Sequence, residues 1–265
     1  MYRKILVGYV DTAQGREALA LGRILATASE AELKIITAPD DHGEDLAHLA
    51  RAEEADLVVL GSTHRGPIGR VIPGATVERL LGHPPCAVAV APPGFGRSED
   101  GDSGWRPLSG DVDDPGLRVI GVAYDGSGAA EEALKTAVDL AIPNRAALRV
   151  YTVARKFPHV PGANGDSRGP GVPTEAEVLR GMLHEAVAEL PSEARALPVF
   201  MRGFADDMVI EAVETGVDLL VLGSRAGGPL RRKAHHSITS SVIQRACCPV
   251  LIAPSGIKTP EAALA

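Results

Sequence analysis

Asp56-Leu57-Val58-Val59-Leu60-Gly61-Ser62 returns as Asp218-Leu219-Leu220-Val221-Leu222-Gly223-Ser224, 162 residues later. Each copy runs on through a loop holding Gly-Pro, Gly66-Pro67 or Gly228-Pro229, into a helical stretch, residues 77–81 or 237–245. Each then closes on an apolar run, Cys86-Ala87-Val88-Ala89-Val90-Ala91-Pro92 or Cys248-Pro249-Val250-Leu251-Ile252-Ala253-Pro254. Gly61 and Gly223, Cys86 and Cys248, and Pro92 and Pro254 all keep the same offset, so the chain carries an internal duplication. An uninterrupted apolar run ended by Gly-Ser reads as a strand buried on both faces, as helix-covered parallel sheets require. The loop after it lies at the carboxyl end of the strand, where open α/β sheets bind ligands. That loop feeds a helix whose first turn carries unpaired N–H groups and the positive end of the dipole, a seat for phosphate. Glycine and proline also punctuate such turns without any ligand, so both readings of the loop stay open.

The duplication divides 265 residues into two ordinary units. Apolar residues make up 45% of the chain and aromatics only 3%, so the expected cores are aliphatic. A net charge of −7 and the lack of a long basic stripe argue against a nucleic-acid partner. Arg231-Arg232-Lys233 is the densest basic run and reads as solvated surface, although it lies in the turn where a phosphate would dock. No apolar run approaches a membrane span, and Tyr2-Arg3-Lys4 leads at once into a short strand, so the expectation is a cytoplasmic chain with no membrane partner. Cys86, Cys247 and Cys248 describe neither a disulfide framework nor metal-ligand spacing; they read as buried, inert thiols, and no metal is expected.

In the first unit, residues 5–10 form a strand closed by Asp11-Thr12, and Asp11 is placed to cap a helix over residues 15–29. Strand two covers residues 33–38, and an acidic turn leads into a helix over 44–54 with Leu46 and Leu49 on one face. The second unit repeats this opening: a strand over 117–124, the turn Asp125-Gly126-Ser127, a helix over 129–141 and strand two over 147–153. Asp11 answers Asp125 at an offset of 114, and Leu33 answers Leu148 at 115. The later offset of 162 leaves 47 residues that only the second unit possesses. They comprise a Gly/Pro-rich loop over 154–173 and a helix capped by Thr174, with Glu177 completing a capping box and Val178, Leu179, Met182, Leu183, Ala186 and Val187 facing inward. An edge strand over 196–201 follows, its position signalled by Pro198. The first unit is therefore expected to have four strands with strand two outermost, and the second to have five. Residues 94–116, dense in Gly, Asp, Ser and Pro and holding Trp105, read as a flexible linker. The expected organisation is a truncated domain over 1–93, this linker, a complete domain over 117–255 and a tail over 256–265.

An opening strand ended by Asp with a nearby hydroxyl, the buried Leu-Leu-Val-Leu-Gly-Ser strand and the closing Cys-Pro-Val-Leu-Ile-Ala-Pro strand together resemble the universal stress protein family, with two family domains in tandem. The resemblance implies an α/β fold of two doubly wound parallel-sheet, adenine nucleotide alpha hydrolase-like domains on the family's strand order 3-2-1-4-5, the first truncated to about four strands and the second with five. It also implies pairing through the last strands, residues 87–91 and 250–253, so that the tandem chain forms an internal pseudo-dimer; a homodimer of the whole chain stays open. Many family members bind ATP. By position, the adenosine contacts would be Asp125 and Val153 in the second unit and Asp11 and Ala38 in the first. The family's phosphate motif falls on Gly223, Ala226, His236 and Ser237, and on Gly61, His64 and Gly74 followed by Ala75 with Thr76 one place late. Neither copy keeps every glycine, and a Cβ obstructs close approach of backbone to phosphate.

Three classes follow. The first is a non-catalytic regulator binding ATP or AMP, with the second unit preferred. The second is a family member that has lost nucleotide binding and acts through protein contacts. The third is an enzyme of the related adenine-nucleotide hydrolase group, which needs a Ser-Gly-Gly-x-Asp-Ser loop that neither Asp11-Thr12 nor Asp125-Gly126-Ser127 supplies.

Overall fold

The computed structural model describes residues 1–37, 43–62, 75–82, 84–96, 116–155, 174–204, 207–208, 211–212, 215–225, 242 and 246–255. The first half runs β1 (Lys4–Tyr9), α1 (Ala13–Ser29), β2 (Glu32–Thr37), α2 (Gly43–Ala52), β3 (Leu57–Gly61), α3 (Ala75–Gly82) and β4 (Ala87–Ala91). The second runs β5 (Val119–Ala123), α4 (Gly128–Ala141), β6 (Ala147–Arg155), α5 (Glu175–Ala188), a 3-10 turn, β7 (Ala196–Gly203), β8 (Leu219–Arg225) and β9 (Val250–Ser255). All nine described strands lie in one sheet of order β2-β1-β3-β4-β9-β8-β5-β6-β7. Within the second half the order is 3-2-1-4-5. Among the described residues the first half shows the same order without a third strand, in line with the offset arithmetic.

The halves meet at β4 and β9, which pair antiparallel with Val88 opposite Ile252, Ala89 opposite Leu251 and Val90 opposite Val250. Every other pairing is parallel. Both strands are apolar and buried because alternate residues enter two different cores. Val88, Val90, Val250 and Ile252 join Leu46, Leu80 and Leu220 on one face of the sheet. Ala89, Leu251 and Ala253 join Leu21, Ala133 and Leu183 on the other. Each core thus runs across the junction from one half into the other. Asn144, in the turn after α4, adds a polar tie, donating Nδ2–H both to Leu140 O of that helix and to Ala28 O at the end of α1.

A carboxylate fixes the start of each half. Asp56 Oδ2 accepts from the amides of Arg3 and Lys4 at 2.8 and 3.0 Å, and Asp218 Oδ2 accepts from Arg118 and Val119 at 2.8 Å each. These residues precede β3 and β8 and hold the amino ends of β1 and β5 in register beside them.

Several helix expectations need correction. The N-cap of α1 is Thr12, whose Oγ1 accepts from Gly15 N, and not Asp11; in α4 the same part falls to Ser127. On α2 the inward residues are Leu46 and Ala50, four apart, while Leu49 is exposed. On α5 the capping box of Thr174 and Glu177 is present and Leu183 is buried, but Val178 points to solvent because it sits on the flank away from β6 and β7. The start of the expected linker is packed, with Phe95 buried and Gly94 N donating to the buried Glu17 Oε1 at 2.7 Å. Its residues 97–115, Trp105 among them, lie outside the described residues, as do 156–173 and 256–265.

Asp218→Ala strands two amides that the carboxylate now satisfies. It is expected to lower unfolding stability by about 2–3 kcal/mol, read as a shift in denaturant midpoint at constant slope. An unchanged midpoint would refute this reading of the amino-end clamp.

Candidate functional site

The sheet order reverses its winding between β5 and β8, and again between β1 and β3, so each half opens a crevice at its strands' carboxyl ends. In the second half the chain leaves β5 through Tyr124 and Asp125. Tyr124 N donates to Tyr151 O, and Thr152 Oγ1 donates to Tyr124 O at 2.7 Å in a buried bond. Both bonds pin the exit of β5 to β6. Asp125 is exposed at the mouth of the crevice, and its Oδ1 accepts from Ser127 N at 3.0 Å, which fixes the carboxylate over the start of α4. Gly126 has φ of 73°, the left-handed region, and a Cβ there would run into Met182 Sδ. Only glycine meets both demands, and by that contact α5 stands against the Asp125 turn as a side wall.

Val153 is set by the hydrogen-bond alternation of β6. Ala147 N donates to Arg118 O and Tyr151 O accepts from Tyr124, so residues 147, 149, 151 and 153 direct their amide and carbonyl toward β5. β5 ends at Ala123, the register partner of Tyr151. The main chain of Val153 therefore aims past the end of β5, into the crevice beside Asp125. On its other flank β6 continues to Arg155 against β7.

Gly223 closes the other side, at the end of β8. A Cβ on it would sit 2.1 Å from Ala129 O and 2.4 Å from the Ala129 carbonyl carbon, main-chain atoms in the first turn of α4. Gly61 stands likewise against Gln14 O in the first turn of α1, at 2.3 Å. Both glycines are required for helix-on-strand packing, whatever else they do. The sequence supports a phosphate turn and a ligand-free turn at these glycines, and neither reading includes the helix packing.

A model of the universal stress protein family matches residues 34–92 and 116–254, more than half of the chain. The chain belongs to the universal stress protein family. Universal stress protein Sll1654 of Synechocystis is 30% identical over 140 residues, covering 52% of this chain and 86% of that protein. A universal stress protein from Archaeoglobus fulgidus shares the fold at a TM-score of 0.56 and 17% identity, over 95% of this chain and 86% of that one. So does the functionally unknown protein PA1789 of Pseudomonas aeruginosa, at 0.64 and 17%, over 96% and 92%.

The two crevices of this universal stress protein differ in charge. Asp11 Oδ1 accepts from Arg16 Nη1 at 3.0 Å and from Tyr9 OH at 3.4 Å, so the first carboxylate is already engaged. Arg16 and Glu131 hold equivalent places, each one residue after the amide that its N-cap receives. The second crevice therefore has an acidic residue where the first has a base. Burial chiefly raises the Tyr124 phenol's pKa, and Glu131, Glu189, Asp125 and Glu185 raise it further.

The structure thus brings Asp125, Val153 and Gly223 together, and it places Asp11 and Gly61 in the matching positions of the first half. Ala38, His64, Gly74, Ala226, His236 and Ser237 lie outside the described residues. The packing of Gly126 against Met182 and the exchange of Arg16 for Glu131 were missed in the sequence, where the Asp-Gly-Ser turn was the available signal. Burial holds the thiols of Cys86 and Cys248 up at about 12, in keeping with inert cysteines, while Cys247 is only half-buried. Among the described residues no helix is long and apolar enough to cross a membrane, and none of their His, Cys, Asp and Glu side chains form a group of three or more that could hold a metal.

Gly223→Ala forces a Cβ against the α4 main chain. It is expected to destabilise the protein by about 1–3 kcal/mol in thermal or denaturant unfolding, with or without ligand. Wild-type stability in this variant would return Gly223 to a purely ligand-directed part.

Proposed function

We propose that this universal stress protein is a non-catalytic stress-response regulator that binds an adenine nucleotide weakly in its second half, and that the bound nucleotide shifts a conformational or assembly equilibrium. In this reading the chain is a truncated domain over 1–93 joined to a complete one over 117–255. The observation that carries it is the convergence of the Val153 main chain and the Asp125 carboxylate on one crevice beyond the end of β5. An amide and a carbonyl two bonds apart suit the hydrogen-bonding edge of adenine, and a fixed carboxylate suits ribose hydroxyls. The wall that Met182 and α5 make beside Gly126 has no counterpart among the described residues of the first half, where Arg16 also occupies the carboxylate. Ala226, His236 and Ser237 would receive the phosphates.

Glu131, in the first turn of α4 where Arg16 stands in α1, favours binding that depends on adenosine more than on phosphate, because it repels added negative charge at that helix start. The same acidity favours the second reading, a family member that has lost its nucleotide and works through protein contacts.

Calorimetric titration of the full chain with AMP and ATP separates the two. AMP is expected to bind within about threefold of ATP, and Asp125→Ala to weaken both by about 10–100-fold through loss of charge-assisted hydrogen bonds. Unchanged affinity in the variant places the site elsewhere. No heat with either nucleotide, confirmed by equilibrium dialysis, overturns the nucleotide reading in favour of protein contacts.

A further inference from the structure

The halves are not equally finished at their outer ends. In the second half, β6 is covered on its outer flank by β7 over eight register pairs, and α5 packs across β6 and β7. In the first half, β2 is the last of the described strands of the sheet. The difference appears at equivalent residues. Val150, register partner of Val122 on β5, is fully buried, whereas Ile35, register partner of Val7 on β1, is 47% exposed. An edge strand of this kind presents unpaired amides and carbonyls and is a template for another strand.

Backbone direction is settled by one bond. Glu32 N donates to Arg3 O, so Glu32, Lys34 and Ile36 turn their main-chain groups to β1, and Leu33, Ile35 and Thr37 turn theirs outward. Side chains alternate as well. Lys34 and Ile36 share the face of α2, where Lys34 Nζ lies 2.7 Å from Glu53 Oε1 and Ile36 packs into the core. Leu33 lies on the opposite face against the core beneath α1.

Charge selects what can pair with this edge. Two β2 strands related by a twofold axis normal to the sheet run antiparallel, and three residues near the middle of β2 can meet their own copy on the axis with most of the strand overlapped. With Lys34 on the axis, like charges oppose one another. With Ile35 there, Lys34 opposes Ile36. With Leu33 on the axis, Glu32 of each copy opposes Lys34 of the other, both times at the narrow, non-hydrogen-bonded positions where side chains approach most closely. Leu33 then meets Leu33 on the apolar face, and Ile35 lies opposite Ala31. Lys34 is held between its own Glu53 and the incoming Glu32, and Glu53 is flanked in turn by Lys4 at 3.7 Å.

We propose that the β2 edge is a self-association surface, on which β2 of a second copy pairs antiparallel about Leu33 and joins the two sheets into one. The charges that discourage indiscriminate strand addition favour this register, since among these pairings it alone sets Glu32 against Lys34 twice. The surface is separate from the nucleotide crevice and from the β4–β9 junction.

Sedimentation velocity on the full chain at low salt tests it, with Glu32→Lys and Lys34→Glu variants measured alone and mixed. The wild type is expected to form a concentration-dependent dimer. Each variant alone opposes like charges twice and is expected to raise the dissociation constant by about tenfold or more. An equal mixture restores both Glu–Lys pairs and is expected to recover the dimer, which misfolded variants would not do. A wild type that is monomeric at every concentration overturns the proposal. So does a dimer that both variants leave intact, or a mixture that stays monomeric when each variant has dissociated.

Discussion

Three register positions between β4 and β9 hold the two halves in one sheet. A strand of sequence Ala-Val-Ala-Val-Ala left as an edge would expose apolar faces and a row of unpaired amides, and β9 would do the same. Antiparallel contact satisfies both at once, and its alternation sends valine and isoleucine to one core and alanine and leucine to the other. Burial of Val88 and Val90 alone contributes roughly 1.5–3 kcal/mol each on transfer arguments. The junction also faces the carboxyl ends of the two halves in opposite directions, since the strands of each half run parallel among themselves. The two crevices therefore open at opposite ends of the strands of one sheet and do not face one another.

Most of the fold was legible because it rests on patterns that repetition makes visible. The offset of 162 defined the last two strands of each half, and the residual 47 residues predicted a missing strand and helix without any propensity argument. Pro198 placed β7 at an edge because a strand proline cannot donate to a ladder. What sequence could not show was which of two neighbouring polar residues performs a job. Asp11 and Thr12 both suit an N-cap, and the structure gives the cap to Thr12 and engages Asp11 with Arg16. Asp56 and Asp218 were visible in the repeat, but their part depends on the amides of Arg3, Lys4, Arg118 and Val119, more than fifty residues distant in each case.

The candidate site was legible to a smaller extent, for a related reason. Asp125 and Val153 could be placed by position, and the alternation of β6 directs Val153 toward the same crevice. Gly61 and Gly223 were read for the ligand they might approach, when the nearest atoms are the main chain of α1 and α4. A glycine in a family motif carries both constraints, and only coordinates separate them. The asymmetry between the halves likewise comes from pairs that sequence spacing hides: Arg16 against Glu131 across a one-residue shift, and Gly126 against Met182 across a long insertion.

The continuity of the sheet is most directly measured by amide hydrogen exchange on the intact chain, followed at β4 and β9. If these strands form the centre of one sheet, their amides exchange only through global unfolding, with the same free energy as those of β1 and β5. If β4 and β9 are instead separate, solvent-facing edges, alternate amides along each strand will exchange far faster than those of β1 and β5, and the single nine-stranded sheet is wrong.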